Sequence, residues 1–386
     1  MSGGLDFELD KDQALFADNL ERYLAQHYSF EQRRDILRSP QGWSRQVWTG
    51  LADLGLLGLE IPEEDGGTGG TPVDILTAMT AFGRSLLVEP FLSSAILATR
   101  LVRDLGSPEQ RRSLLPALAA GERIAVPAHD EAGARYELAY VGTSATRVAG
   151  GYQLSGHKAV VPNAPTADHL LVSARTGGAI NDIAGISLFV VDPRAPGVSV
   201  IAYPTLDGHR AADVTLREVR VSAGDRLGPE GGARPALAGA WHVGVAALCA
   251  EAVGALDATL AATVDYAKTR KQFGVPIGTF QALRHRMADM LMHVEQARSM
   301  SYLAAIRSRH PDPAVSGPNV SAAKVVVGRA CRRVAQDAVQ IHGGMGMTDE
   351  LAISHYFRRL TAIELSLGDT DHHLERFVAT SRKVAD

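Results

Sequence analysis

Cysteine is nearly absent: Cys249 and Cys331 are the only two in 386 residues, each alone in an apolar helical stretch. That excludes a disulfide framework and a CxxC metal site, and it suits a reducing cytoplasm. Aromatic residues are scarce, at 6%, while Ala, Leu, Val and Gly are plentiful. Such a composition favours closely packed helices over an all-β fold. A basic excess is also missing. The 39 Lys and Arg against 43 Asp and Glu leave a net charge of −4, so nucleic acid is not an expected partner. No apolar run reaches the length of about 18 residues that a membrane span needs, and none is expected. The opening MSGGLDFELD is acidic and polar, unlike a signal or transit peptide. What is present, 46% hydrophobic and 21% charged residues, is enough to bury a sizeable core. At about 150 residues per domain, the length suggests two or three domains.

Patterning divides the chain. From Lys11 to about Gly121 the period is helical, with Leu15, Phe16, Leu20, Tyr23 and Leu24 on one stripe. IPEEDGGTGGTP breaks it as a turn, and a further helix starts at Thr71–Pro72. SSAILATRLVRDLG and SPEQRRSLLPALAAGE read as two more helices. From about Arg123 to Arg226 short β-branched runs alternate with Gly, Asp, Asn and Pro, which predicts a β domain. GPEGG, Gly228 to Gly232, is a linker. Helices are then expected over Arg234–Arg270, Phe280–Ser308, Ser321–Ile341, Asp349–Ala362 and Asp369–Val384. The reading is an α+β multidomain chain in the order α, β, α: residues 1–122, 123–228 and 229–386, the last an up-down bundle.

Two segments suggest chemistry. In TRKQFGVPIGTFQALRHRMADM, Arg270 ends a long helix, Gly274 and Pro276 turn the chain, and Gln281 opens the next helix. An arginine at such a corner can clamp a diphosphate with its planar pair of donors. It can equally be a last-turn cation on the helix dipole. In QIHGGMGMTDE, three glycines within four residues lie between two helices. Glycine admits close backbone approach to a ligand, or it is simply a helix C-cap.

Together the two segments resemble the signature regions of the acyl-CoA dehydrogenase family. RKQFG followed by IGTFQ, then QIHGGMG, carries the resemblance, with LGLLGLEIPEEDGGTGG and GYQLSGHKAVVPNAPTADHLLVSA in support. The resemblance covers essentially the whole chain. It implies N-terminal helices, a middle β barrel and a C-terminal four-helix bundle. It also implies an FAD enzyme, commonly tetrameric, that desaturates a fatty acyl-CoA: a carboxylate removes the α proton and the flavin accepts the β hydride. Carried over residue by residue, Arg270, Gln272 and Phe273 match the stretch that meets the diphosphate and adenine of FAD, and Gln281 a nearby contact. Gln340, His342, Gly343 and Gly344 match the loop that closes over the same FAD from the neighbouring subunit. His342 is open to a second reading, a satisfied interior histidine.

The departures are as informative. The family's usual Glu before a Gly-Thr pair falls on Leu367, and its alternative place on the first bundle helix falls on Gly244. Neither residue is a base. Asp369 and Glu251 are the candidate substitutes, Asp369 with an N-cap as its plainer role and Glu251 with an ion pair; Asp371 lies close by. The flavin-side strand reads Val160, Val161, Pro162, Asn163 after Lys158 and Ala159, so the usual covering Trp and the hydroxyl near the flavin are absent. The preceding segment reads AVPAHDEAGA rather than the family's Thr-Glu-Pro with Gly-Ser-Asp, and its His129, Asp130 and Glu131 line the site or cap a loop. Two functions follow. One is a cytoplasmic FAD-dependent dehydrogenase passing electrons to an electron-transfer flavoprotein. The other is a catalytically silent subunit of a heterotetramer, completing the FAD site of a related partner. A metal is not expected, since His372–His373 lacks HExxH spacing.

Overall fold

The computed structural model describes residues 10–385; residues 1–9, most of the acidic opening, lie outside them. α1 (Lys11–His27) begins on a reciprocal cap: Asp10 Oδ1 accepts from the Gln13 amide at 2.8 Å, and the Gln13 side chain accepts from the Asp10 amide at 3.2 Å. α2 (Phe30–Arg38) has no apolar stripe to announce it. It is anchored instead by buried Arg33, which donates to Leu86 O at 2.7 Å and meets His355 Nδ1 at 3.0 Å. α3 (Arg45–Asp53) is capped by Ser44, and α4 (Pro72–Ser85) opens on proline as expected. Phe91–Ala98 is π-helical where the pattern predicts plain helix, and runs on into α5 (Thr99–Leu105). α6 (Pro108–Ala119) carries the Ser107/Gln110 capping box.

Eight strands follow: β1 (Ala125–Ala128), β2 (Ser144–Val148), β3 (Gly151–Pro162), β4 (His169–Arg175), β5 (Ile186–Val191), β6 (Val198–Pro204), β7 (Arg210–Ser222) and β8 (Arg226–Leu227). They pair in the order β6-β7-β3-β2-β4-β5-β8, with β1 parallel to β4. The β domain expected as a barrel is thus one sheet, and its hydrogen-bonded path ends at β6 and β8. Two register shifts interrupt β3 against β7, the second between Lys158 and Val161. A bulge of that kind bends the strand and re-aims its side chains.

The rest is helical. α7 (Arg234–Thr269) leads through a small hairpin, β9 (Lys271–Gln272) and β10 (Val275–Pro276), to α8 (Gln281–Ser308). α9 (Pro313–His342) starts at Pro313 rather than Ser321, because Asp312 caps it and Pro313 suits its first turn. α10 (Ala352–Leu365) and α11 (Thr370–Ala385) complete the chain. α7 is long and apolar enough to cross a membrane by composition alone, but its most apolar window is 83% buried, the mark of a core helix.

By packing, the chain forms two compact units that cut across the three-part order. One comprises the residues up to Asp35, Pro72–Leu87 and Val245 onward; the other comprises Ile36–Thr71 and Val88–Gly244. In the first, α4 crosses α7 at glycine. A Cβ on Gly254 would sit 1.8 Å from Thr80 O, and one on Gly83 1.8 Å from Glu251 O. Gly254→Ala is therefore expected to destabilise the chain by about 1–3 kcal/mol or more. Urea unfolding reads this, and an unchanged midpoint would contradict the crossing.

Candidate functional site

The helical unit gathers both signature segments at one corner. At the end of α7, Arg270 N donates to Tyr266 O at 2.8 Å and Arg270 O accepts from Ile277 N at 2.8 Å, so the hairpin folds back on the helix. The Arg270 side chain is exposed and enters no ion pair among the described residues. Gln272 and Gln281 are exposed, and Phe273 is 91% exposed with φ +53°. At the end of α9, Gln340, Gly343 and Gly344 are exposed as well. A Cβ on Gly274, Gly343 or Gly344 would meet nothing within 4 Å, so open space borders both segments.

His342 joins them. Its ring stacks on Tyr266 with centroids 4.3 Å apart, and its Nδ1 lies 2.9 Å from Ala338 O. Burial pushes its pKa down, so the ring is neutral near pH 7. The geometry is that of the satisfied interior histidine. Tyr266 was not singled out by sequence, since an aromatic one turn before a helix end reads as core.

The two substitute carboxylates are both engaged. Glu251 is buried, and its oxygens take Arg359 Nε at 2.6 Å and Nη2 at 2.8 Å. Asp369 Oδ1 accepts the His372 amide at 2.8 Å, the N-cap of α11. The plainer reading of each is the one the geometry matches. Gly244 is buried in α7, and Leu367 lies half-buried on the α10–α11 loop with φ +54°. Glu251→Ala is expected to cost about 3–5 kcal/mol, because it removes one partner of a buried ion pair. A large fall in thermal midpoint checks this; intact stability with lost turnover would make Glu251 a base instead.

The sheet unit holds a second polar cluster, under β3. Lys158 is fully buried, its Nζ 2.7 Å from Glu131 Oε1, 3.0 Å from Ser173 Oγ and 3.2 Å from His129 O. Burial pushes its pKa down to about 8, against the pull of Glu131. Glu131 also accepts from the Thr143 hydroxyl (2.7 Å) and the Gly142 amide (2.7 Å), so it caps that loop. His129 Nδ1 meets Ser173 Oγ at 2.9 Å and its ring packs edge-on to Trp241; burial lowers its pKa to about 3. Asp130 is exposed. Past the bulge, Val160 has φ +51° and is exposed, while Asn163, at φ +57°, accepts from Ser93 Oγ at 2.7 Å. Among the described residues no His, Cys, Asp and Glu cluster could hold a metal ion.

Comparison with known proteins gives the same picture along the chain. Residues 10–122, 128–221 and 232–380 match the N-terminal, middle and C-terminal domains of acyl-CoA dehydrogenase. Acyl-CoA dehydrogenase FadE27 of Mycobacterium tuberculosis is 31% identical over 356 residues, covering 90% of each chain. Among solved structures, a Tcur3481–Tcur3483 steroid ACAD variant is 30% identical with a TM-score of 0.86, covering 97% of this chain and 99% of that one. The ChsE4–ChsE5 complex from Mycobacterium tuberculosis is 28% identical with a TM-score of 0.87, covering 99% of each chain. This chain belongs to the acyl-CoA dehydrogenase family of oxidoreductases.

Proposed function

We propose that this chain is an FAD-dependent acyl-CoA dehydrogenase that holds flavin but takes its proton-abstracting carboxylate from a related partner subunit. The observation that carries this reading is the engagement of its own acids. Glu251 is locked to Arg359, Asp369 caps α11, and Leu367 and Gly244 stand at the usual base positions. Both oxygens of the Glu251 carboxylate are taken by the Arg359 guanidinium, so neither is presented to a substrate.

The helical corner fits the tail of FAD. Arg270 offers an exposed fork, with no ion pair among the described residues, for a diphosphate; Gln272, Phe273 and Gln281 flank it, and Gln340, Gly343 and Gly344 offer open backbone. His342 serves by its stack on Tyr266, which brings both segments to one corner of one chain. A single flavin tail then meets both from the same subunit, which differs from the split between subunits that the resemblance implied. Bound FAD supplies the acceptor for the acyl β hydride. The two-component names of the Tcur3481–Tcur3483 and ChsE4–ChsE5 neighbours support a mixed assembly. A tetramer, a cytoplasmic location and an electron-transfer flavoprotein as acceptor complete the reading.

Native mass spectrometry of the tagged chain recovered from its host tests it. The expected result is an assembly with a second, related chain that carries Glu at the position of Leu367. A pure homo-oligomer that reduces an acceptor with an acyl-CoA would overturn it.

A further inference from the structure

A lysine in the core of the helical unit has no role in the reading so far. Lys324 lies on α9 between Ala323 and Val325 and is 1% exposed. Its Nζ donates to four main-chain carbonyls: Ile363, Glu364 and Ser366 at 2.9 Å each, and Gly368 at 2.7 Å. An ammonium has three N–H groups, so the oxygens surround it as they would a small cation. They are carbonyls of the last turn of α10 and of the loop beyond, at the negative end of the helix dipole and short of internal partners, Ile363 O taking only the Ser366 amide at 3.2 Å.

The remaining groups of the loop are held too. Leu367 O lies 3.0 Å from His373 Nε2, and His373 Nδ1 meets Ser321 Oγ at 3.1 Å. Glu364 Oε1 accepts the Thr370 amide at 3.2 Å and its hydroxyl at 2.8 Å. Inside this frame Leu367 sits at φ +54° and Gly368 at φ +107°. A leucine holds a left-handed backbone only where its surroundings impose it.

We infer that Lys324 is a positioning residue, a built-in monovalent cation that folds the 366–369 corner and so sets the direction of the side chain at 367. That this side chain faces the acyl group rests on the function proposed above; the pinning itself does not. The chemistry demanded is a compact charge at one point. A guanidinium spreads its donors over a plane and cannot gather four carbonyls around one nitrogen, so arginine is not a substitute.

Hydrogen exchange and chemical rescue test it on the purified full chain. Lys324→Ala removes three methylenes and the ammonium, the outline of propylammonium. Amides from Ser366 to His373 are expected to exchange about tenfold faster or more in this variant and in Lys324→Met. Propylammonium should restore protection in Lys324→Ala, and 1-propanol, its neutral counterpart, should not. Should Lys324→Ala fail to fold, Lys324→Met carries the comparison. Unchanged exchange at the corner in Lys324→Met, or rescue by 1-propanol as good as by propylammonium, overturns the inference. Acyl-CoA binding by calorimetry separates the two readings: corner exchange that follows the prediction in a chain that binds no acyl-CoA, alone or assembled, sinks the proposed function and leaves the pin standing.

Discussion

Leu367→Glu raises acyl-CoA turnover by the purified chain by about 10²–10⁴-fold, the usual worth of a positioned general base. The expectation follows from the backbone. Leu367 already occupies φ +54° on a loop whose carbonyls are held by Lys324 and His373. Leu and Glu are both unbranched at Cβ, so the exchange adds no new backbone demand. The site is half-buried, which raises a carboxyl pKa towards the working range of a base. The gain should vanish when Lys324→Met is added, with FAD content unchanged. Steady-state turnover with an artificial acceptor reads both. No gain from Leu367→Glu in an FAD-loaded chain would mean that this corner does not face the acyl group.

Arg270→Ala lowers FAD affinity by about 10–100-fold, the loss of charge-assisted hydrogen bonds to a diphosphate. The unfolding midpoint of the flavin-free variant should not move, because the exposed guanidinium enters no ion pair among the described residues. Arg270→Lys should recover only part of the affinity, since a point charge replaces a planar fork. Flavin fluorescence titration measures all three chains. Equal affinity in all of them would assign Arg270 to the helix dipole alone.

Much of the fold was readable because its elements follow local rules. The apolar stripe of α1, the Pro72 start of α4 and the alternation of the strands are properties of a few neighbouring residues. The failures have a common cause in long-range partners. α2 is mostly charged, and its place depends on Arg33 reaching Leu86 and His355. The π-helical turn at Phe91–Ala98 has the same apolar pattern as an α-helix. The two units interleave because helix contacts ignore chain order.

The site divides in the same way. Arg270 and the glycine loop were visible as motifs, and the absence of acid at Leu367 and Gly244 was visible by counting. The ion pair of Glu251 and the N-cap of Asp369 were offered by residue type and helix position, but the partner of Glu251 was not, because Arg359 lies far along the chain. Lys324 did leave a trace: a single charge inside the apolar run of SAAKVVVG. A lone lysine on a buried helix face marks a group with partners elsewhere.

The central claim is that this chain holds flavin without a base of its own. Anaerobic addition of an acyl-CoA to the FAD-loaded chain, followed by flavin absorbance, tests it most directly. The account predicts no bleaching by the chain alone and bleaching once the related, Glu-bearing subunit is present. Full bleaching by the chain alone would contradict it.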